Sequence, residues 1–191
     1  VAIYADNQYF SEVALAGLPQ GVSVDYFGNI YVSDLIGFVW KLNSSGSLVW
    51  KATVDAPESL AIDGANIYVI SGTEIIRLSQ ADGSVNGGFG LYGFADTNLN
   101  YPRGIAWYNS ELFITDTFNG KVKRFSDTGT YINTTQSSIL RRPCGITTFA
   151  ENKYIAVTDF ETDKISIYNV SDLSLVSSFA VSGQSAGEVR Y

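Results

Sequence analysis

"LPQGVSVDYFGNIYVSD", residues 18–34, decides the reading of this chain. A proline and a glycine open it, Val22 and Val24 alternate with polar residues, Gly28-Asn29 makes a turn, and Ile30 and Val32 alternate again before a hydroxyl and an acid. Alternation with a period of two on both sides of a Gly-Asn turn predicts two strands joined by a tight hairpin. The closing acid, Asp34, has three possible roles: a catalytic carboxylate, a metal ligand, or the residue that closes a turn. What separates them is whether the phrase recurs.

It recurs. The chain has four prolines, and Pro19, Pro57, Pro102 and Pro143 each open the same kind of unit, at spacings of 38, 45 and 41 residues. The other three openings are "APESLAIDGANIYVIS" (56–71), "YPRGIAWYNSELFITD" (101–116) and "RPCGITTFAENKYIAVTD" (142–159). A second apolar alternation follows each ("FVWKLNSSG", "EIIRLSQADG", "GKVKRFSDTG", "KISIYNVSD"), and then a short fourth run. Each unit therefore reads as four strands linked by Asn-, Asp- or Gly-bearing turns. No long segment carries a 3.6-residue period, so essentially no helix is expected.

Four antiparallel strands every 40 or so residues are the signature of a β-propeller blade. The expected fold is all-β, a propeller of four-stranded antiparallel blades, with repeat units at about 15–54, 55–90, 91–138 and 139–191 in a single domain, 1–191. Residues 1–14 are expected to supply an edge strand, "VAIYA", and a linker belonging to a preceding or neighbouring blade. The glycine two residues after the proline (Gly21, Gly104, Gly145, with Ser59 in the second unit) is expected to permit a close backbone approach.

These residues resemble the NHL repeats, whose pattern runs roughly Pro-x-Gly-Ile-Ala-Val-Asp, then Gly-Asn-Ile-Tyr-Val-Thr-Asp, then a strand ending in an Asp-Gly-type turn. "PQGVSVDYFGNIYVSD" and "PRGIAWYNSELFITDTFNGKVKRFSDTG" follow it closely, and the likeness extends over about residues 15–191. The resemblance implies a propeller, usually six-bladed, and such propellers serve as binding platforms, scaffolds, lyases and hydrolases alike. With four units and loose edges, this chain is expected to be a portion of a larger propeller or assembly. A compact four-bladed ring, or a terminal strand that completes a neighbouring molecule's blade, are the other arrangements consistent with the repeat.

Composition removes several functions. The net charge is −7 and no cationic run exceeds Arg141-Arg142, which argues against a nucleic-acid partner. No apolar stretch is long enough to span a bilayer. The sequence has no histidine, so a Ser-His-Asp triad or a His-based zinc site cannot be built from it. The NHL-like amidating lyases and streptogramin-type lyases depend on histidines, and the chain departs from both. Cys144, the one cysteine, has no imidazole base to activate it and reads as a small half-buried residue.

Repetition then sorts the candidate sites. Asp34, Asp116 and Asp159 occupy one repeat position, with Ser71 in the remaining unit, and a residue repeated blade after blade is architectural: a turn-closing acid. The residue after each proline varies instead: Gln20, Glu58, Arg103 and Cys144. Those four are the candidates for a ligand site at a channel mouth, although Glu58 and Arg103 could equally form a plain salt bridge. No metal site is marked. Calcium is the one conceivable cofactor, with Asp25, Asp63, Asn66 and Glu111 as oxygen donors, but no spacing defines a site. Asn43, Asn133 and Asn169 each begin an Asn-x-Ser/Thr sequon, which points to an extracellular or cell-surface glycoprotein.

The function expected from all this is a non-enzymatic extracellular interaction or assembly module, which meets protein partners or copies of itself through loops and blade edges. The alternative is a calcium-dependent propeller hydrolase or lyase acting on a small molecule or sugar polymer.

Overall fold

The computed structural model describes residues 2–5, 8–12, 15, 17–136, 139–151 and 153–180. The chain divides into two compact units, one up to Gly87 and the other from Gly88 onward. Among the described residues the fold is all-β, apart from one turn of 3₁₀ helix at Thr117–Asn119.

The first unit opens with β1 (Ala2–Ala5) and β2 (Gln8–Glu12), which pair antiparallel with each other. A stretch expected to hold a single edge strand and a linker thus holds two strands. The first blade follows as β3 (Pro19–Val24), β4 (Ile30–Asp34), β5 (Phe38–Leu42) and β6 (Leu48–Thr53), hydrogen-bonded in chain order. The second is β7 (Pro57–Ile62), β8 (Asn66–Ser71), β9 (Glu74–Ser79) and β10 (Val85–Phe89), which runs through the unit boundary.

The second unit repeats the plan. One blade is β11 (Pro102–Tyr108), β12 (Glu111–Asp116), β13 (Lys121–Ser126) and β14 (Tyr131–Thr134). The other is β15 (Pro143–Phe149), β16 (Tyr154–Asp159), β17 (Lys164–Asn169) and β18 (Leu175–Ala180). All four sheets are antiparallel meanders of four strands, the sheet form of a propeller blade.

The Pro-x-Gly phrase has a mechanical meaning in this fold. Each blade's register slips at the same place: between Pro19 and Gly21, Pro57 and Leu60, Pro102 and Gly104, and Pro143 and Ile146. Proline has no N–H to give to a ladder, so the pairing resumes two or three residues later through a bulge.

Apolar side chains from the paired blades meet within each unit. In the first, Tyr31, Val39, Leu60, Ile67, Val69 and Leu78 form one buried cluster, flanked by Trp50. In the second, Phe113, Val122, Ile155, Val157, Tyr168 and Leu173 do so. Each such aliphatic or aromatic burial contributes about 1.5–3 kcal/mol, so a blade gains its stability from its neighbour. Among the described residues no helix is long and apolar enough to cross a membrane.

Candidate functional site

The turn acids come first because the repeat singled them out. Asp34 is buried, with Oδ1 accepting from the backbone N–H groups of Ile36 (3.1 Å) and Phe38 (3.2 Å) and Oδ2 accepting from the Trp40 indole. Asp116 accepts from the Asn100 N–H (2.6 Å) and the Asn119 side-chain amide (2.6 Å), and Lys123 pairs with it. Asp159 accepts from the N–H groups of Arg141, Arg142, Glu161 and Thr162. In the second blade Ser71 reverses the polarity and donates to the Asp55 carbonyl. Asp116 and Asp159 bridge the turn after the second strand and the segment before the proline, Asp34 ties that turn to Trp40 on the third strand, and both oxygens of each acid are occupied.

The hydroxyl just before each acid does something that reading the sequence missed. Ser33 Oγ accepts from the Gly21 N–H (3.0 Å) and donates to the Glu58 carbonyl of the next blade. Thr115 Oγ1 likewise accepts from the Gly104 N–H (2.7 Å) and donates to the Cys144 carbonyl (2.9 Å). One hydroxyl therefore clasps two blades at the Pro-x-Gly phrase. A side chain on either glycine would collide with the carbonyl that the clasp holds: a Cβ on Gly21 would lie 2.7 Å from Glu58 O, and one on Gly104 would run into Cys144 O. The recurring Ser/Thr before the acid was the available signal.

The four variable positions divide between the units, Gln20 and Glu58 in the first and Arg103 and Cys144 in the second. Gln20 and Arg103 are exposed on β3 and β11, and Arg103 forms no hydrogen bond or ion pair among the described residues. Glu58 is half-buried on β7 in the first unit, whereas Arg103 belongs to the second. Cys144 is half-buried on β15, its Sγ 3.2 Å from Thr158 Oγ1.

The proposed oxygen donors are each engaged within their own blade. Asp25 Oδ1 accepts from the N–H groups of Phe27 and Asn29, and its Oδ2 from the Asn29 amide and the buried Tyr31 hydroxyl (3.0 Å). Asp63 repeats the latch with Ala65, Asn66 and Tyr68. For both acids, burial acts to raise the pKa, but hydrogen bonds from the Asn side chain, the backbone and the Tyr hydroxyl together outweigh it, and each lies below the usual 3.8. Burial, and then the bond to Asp25 and its charge, hold the Tyr31 phenol well above its ordinary range. Glu111 sits in the third blade and takes the Arg124 guanidinium in a fork at 2.7 and 2.8 Å. Among the described residues no three acids or thiols gather as a metal site.

The sequons differ in setting. Asn43 follows β5 in an exposed turn, where its Oδ1 accepts from Ser45 and Ser47. Asn169 ends β17 and its amide donates to Ser174 Oγ (2.7 Å). Asn133 lies within β14, its amide reaching the Asp172 carbonyl at 3.4 Å and its buried Oδ1 without a partner.

The second unit carries a groove and an exposed aromatic cluster. A groove of about 510 Å³ between its blades is lined by Tyr108, Asn109, Glu111 and Arg124 on one side and Tyr154 and Ser171 on the other. Separately, the turns that follow Asp116 and Asp159 carry Phe118 and Phe160, whose N–H groups are tied to the carbonyls of Asn100 and Arg142. Tyr101 meets Phe118 edge to face at 5.1 Å, and the Arg142 guanidinium lies 4.9 Å from Phe118 and 5.7 Å from Phe160. Tyr101, Phe118 and Phe160 are 56%, 46% and 39% exposed. Such a cluster, locked by backbone bonds, is a rigid aromatic surface with a cation pre-set in it. Compared with known protein families and with curated proteins, the chain matches none of them.

Proposed function

We infer that this chain is an NHL-type propeller module that works outside the cell as a protein-interaction element, without a reaction of its own. The observation that carries this reading is the aromatic surface of Tyr101, Phe118 and Phe160 around Arg142. Large exposed aromatics with an arginine are the residue types that dominate protein-protein contacts. Their fixed backbone keeps the ordering cost of binding low. Tyr101 adds to this: it holds a left-handed φ of 50°, a conformation that side chains other than glycine adopt only where the surroundings impose it.

Support for the NHL type comes from the clasp at Gly21 and Gly104, which gives the Pro-x-Gly phrase a role in blade stacking. Support for an extracellular setting comes from the three sequons and the acidic balance. The test is a paired bait experiment with extracellular protein fractions. The wild-type chain and the variant Y101S/F118S/F160S are immobilised side by side. A protein retained by the wild type and lost from the variant is the expected outcome. Equal retention by both, or none by either, would count against this reading.

A further inference from the structure

The groove in the second unit lies where the first unit packs a tryptophan, and strand register shows which residues changed. With the sheets aligned on Asp34 and Asp116, Asp25 corresponds to Tyr108, Asn29 to Glu111, Tyr31 to Phe113, Lys41 to Arg124 and Trp50 to Asn133. In the first unit the Trp50 indole N–H donates to the Gln80 carbonyl, and its ring rests on Gly83, where a Cβ would come within 2.8 Å of it. The indole fills the space between the blades. In the second unit Asn133 stands there, and Leu173, at the place of Gly83, takes back only part of the volume.

The substitutions are coordinated. The carboxylate of Asp25 and the hydroxyl of Tyr31, which bond each other in the first blade, are both missing in the third, where Tyr108 and Phe113 stand. Trp50, the plug, becomes a short amide whose Oδ1 is buried with no partner. That amide is the register partner of Arg124 and bonds to Asp172 beside Ser171, so it adjoins two residues that line the groove.

The polar groups on offer define a ligand class. The Arg124 guanidinium is spent, with Nε and Nη2 on Glu111 and Nη1 on the Ser171 carbonyl (2.7 Å), so it leaves no cation fork free for a phosphate or carboxylate. Lys153, the other cation of the lining, lies 3.3 Å from Glu151. The hydroxyls of Tyr108 and Tyr154 and the Asn109 amide, by contrast, form no hydrogen bond among the described residues. Two tyrosines line the groove, Tyr108 packed on the core and Tyr154 with its ring 5.7 Å from that of Phe149. Aromatic walls beside uncharged donors and acceptors suit a molecule with apolar C–H faces and a rim of hydroxyls. The volume of about 510 Å³ falls within the usual small-ligand range.

We propose that this inter-blade groove binds a neutral pyranose sugar, as a monosaccharide or one unit of a short glycan. The site is separate from the Tyr101–Phe118–Phe160 surface, so the two readings stand or fall independently. The test is saturation-transfer NMR followed by titration of bacterially produced chain with glucose, galactose, mannose and N-acetylglucosamine and their disaccharides, with glucuronate and inorganic phosphate as charged arms. Saturable binding of at least one neutral sugar at millimolar concentration is expected, about tenfold or more tighter than either charged arm.

Two variants locate the binding. N133W/L173G transplants the plugged arrangement of the first unit, and Y154A removes one ring; each should weaken binding about tenfold or more while keeping cooperative unfolding. Should N133W/L173G fail to fold, Y154A alone decides. No saturable neutral-sugar binding, binding confined to the charged arms, or binding that the folded variants leave unchanged would each overturn the proposal.

Discussion

The Lys123 ammonium lies 2.8 Å from the Asp116 carboxylate, and both side chains are out of contact with solvent. Strand register matches Lys123 with Trp40, whose indole answers Asp34 in the first blade. One architectural acid is thus met by two chemically unlike donors. The ammonium also donates to the carbonyls of Ala95 and Asn98, so each of its three N–H bonds has an acceptor.

Removing the lysine leaves a buried carboxylate without its counter-charge. Lys123→Met is expected to destabilise the second unit by about 3–5 kcal/mol in urea unfolding. Adding Asp116→Asn should recover part of that loss, because the amide carries no charge and its one oxygen can still accept from either Asn100 or Asn119. Equal stability of K123M and wild type would show that the pair contributes nothing.

The Asp25 latch makes a pH prediction. Its folded pKa lies below 3.8, so the folded state binds fewer protons than the unfolded one. The stability it contributes is present above the unfolded pKa and is lost as pH falls through the folded value. Asp63 behaves in the same way. Stability should therefore decline on acidification below about pH 4, and D25N/D63N should flatten that decline in a pH series of urea midpoints. At neutral pH, Asp25→Ala should cost about 1–3 kcal/mol because the Tyr31 hydroxyl loses its acceptor. D25A/Y31F should return part of this, as the third blade's Tyr108 and Phe113 already illustrate.

The clasp predicts a hierarchy among glycines. Gly104→Ala places a methyl group against the Cys144 carbonyl and 2.9 Å from Thr115 Oγ1, and a backbone oxygen has little room to move. A cost of about 1–3 kcal/mol is expected. Gly145→Ala meets only the Thr158 side chain within 3 Å and should cost less. Thermal unfolding of the two variants in parallel would check the order.

Glycan placement follows from exposure. If the chain passes through a secretory pathway, Asn43 should carry a glycan, because its turn is exposed and its amide nitrogen makes no hydrogen bond. Asn133 should remain bare: it lies in β14, and Thr135 of its sequon is buried and accepts from the Val122 N–H. Peptide mass spectrometry before and after enzymatic deglycosylation, with N43Q as control, would read both sites.

The four antiparallel four-stranded sheets were legible in the sequence because each rests on local chemistry. Alternation marks the strands, proline breaks the ladder where the register slips, and Asp34 lies within a few residues of the N–H groups it accepts from. What stayed hidden lies across strands and between blades. Nothing near Ser33 announces that it reaches the Glu58 carbonyl, and nothing near Tyr108 or Arg124 announces the groove that they line.

The sequence by itself thus determined a repeated four-stranded architecture, since period-two alternation and turn residues act over a few neighbours at a time. Only the tertiary structure decided which repeat position is filled and which is open. Trp50 and Asn133 occupy equivalent places in their strands, but whether a side chain plugs a gap depends on what the next blade presents to it, Gly83 in one unit and Leu173 in the other. That match is made across 30 to 40 residues of chain, by volume and hydrogen-bond partners that exist only once the blades have packed.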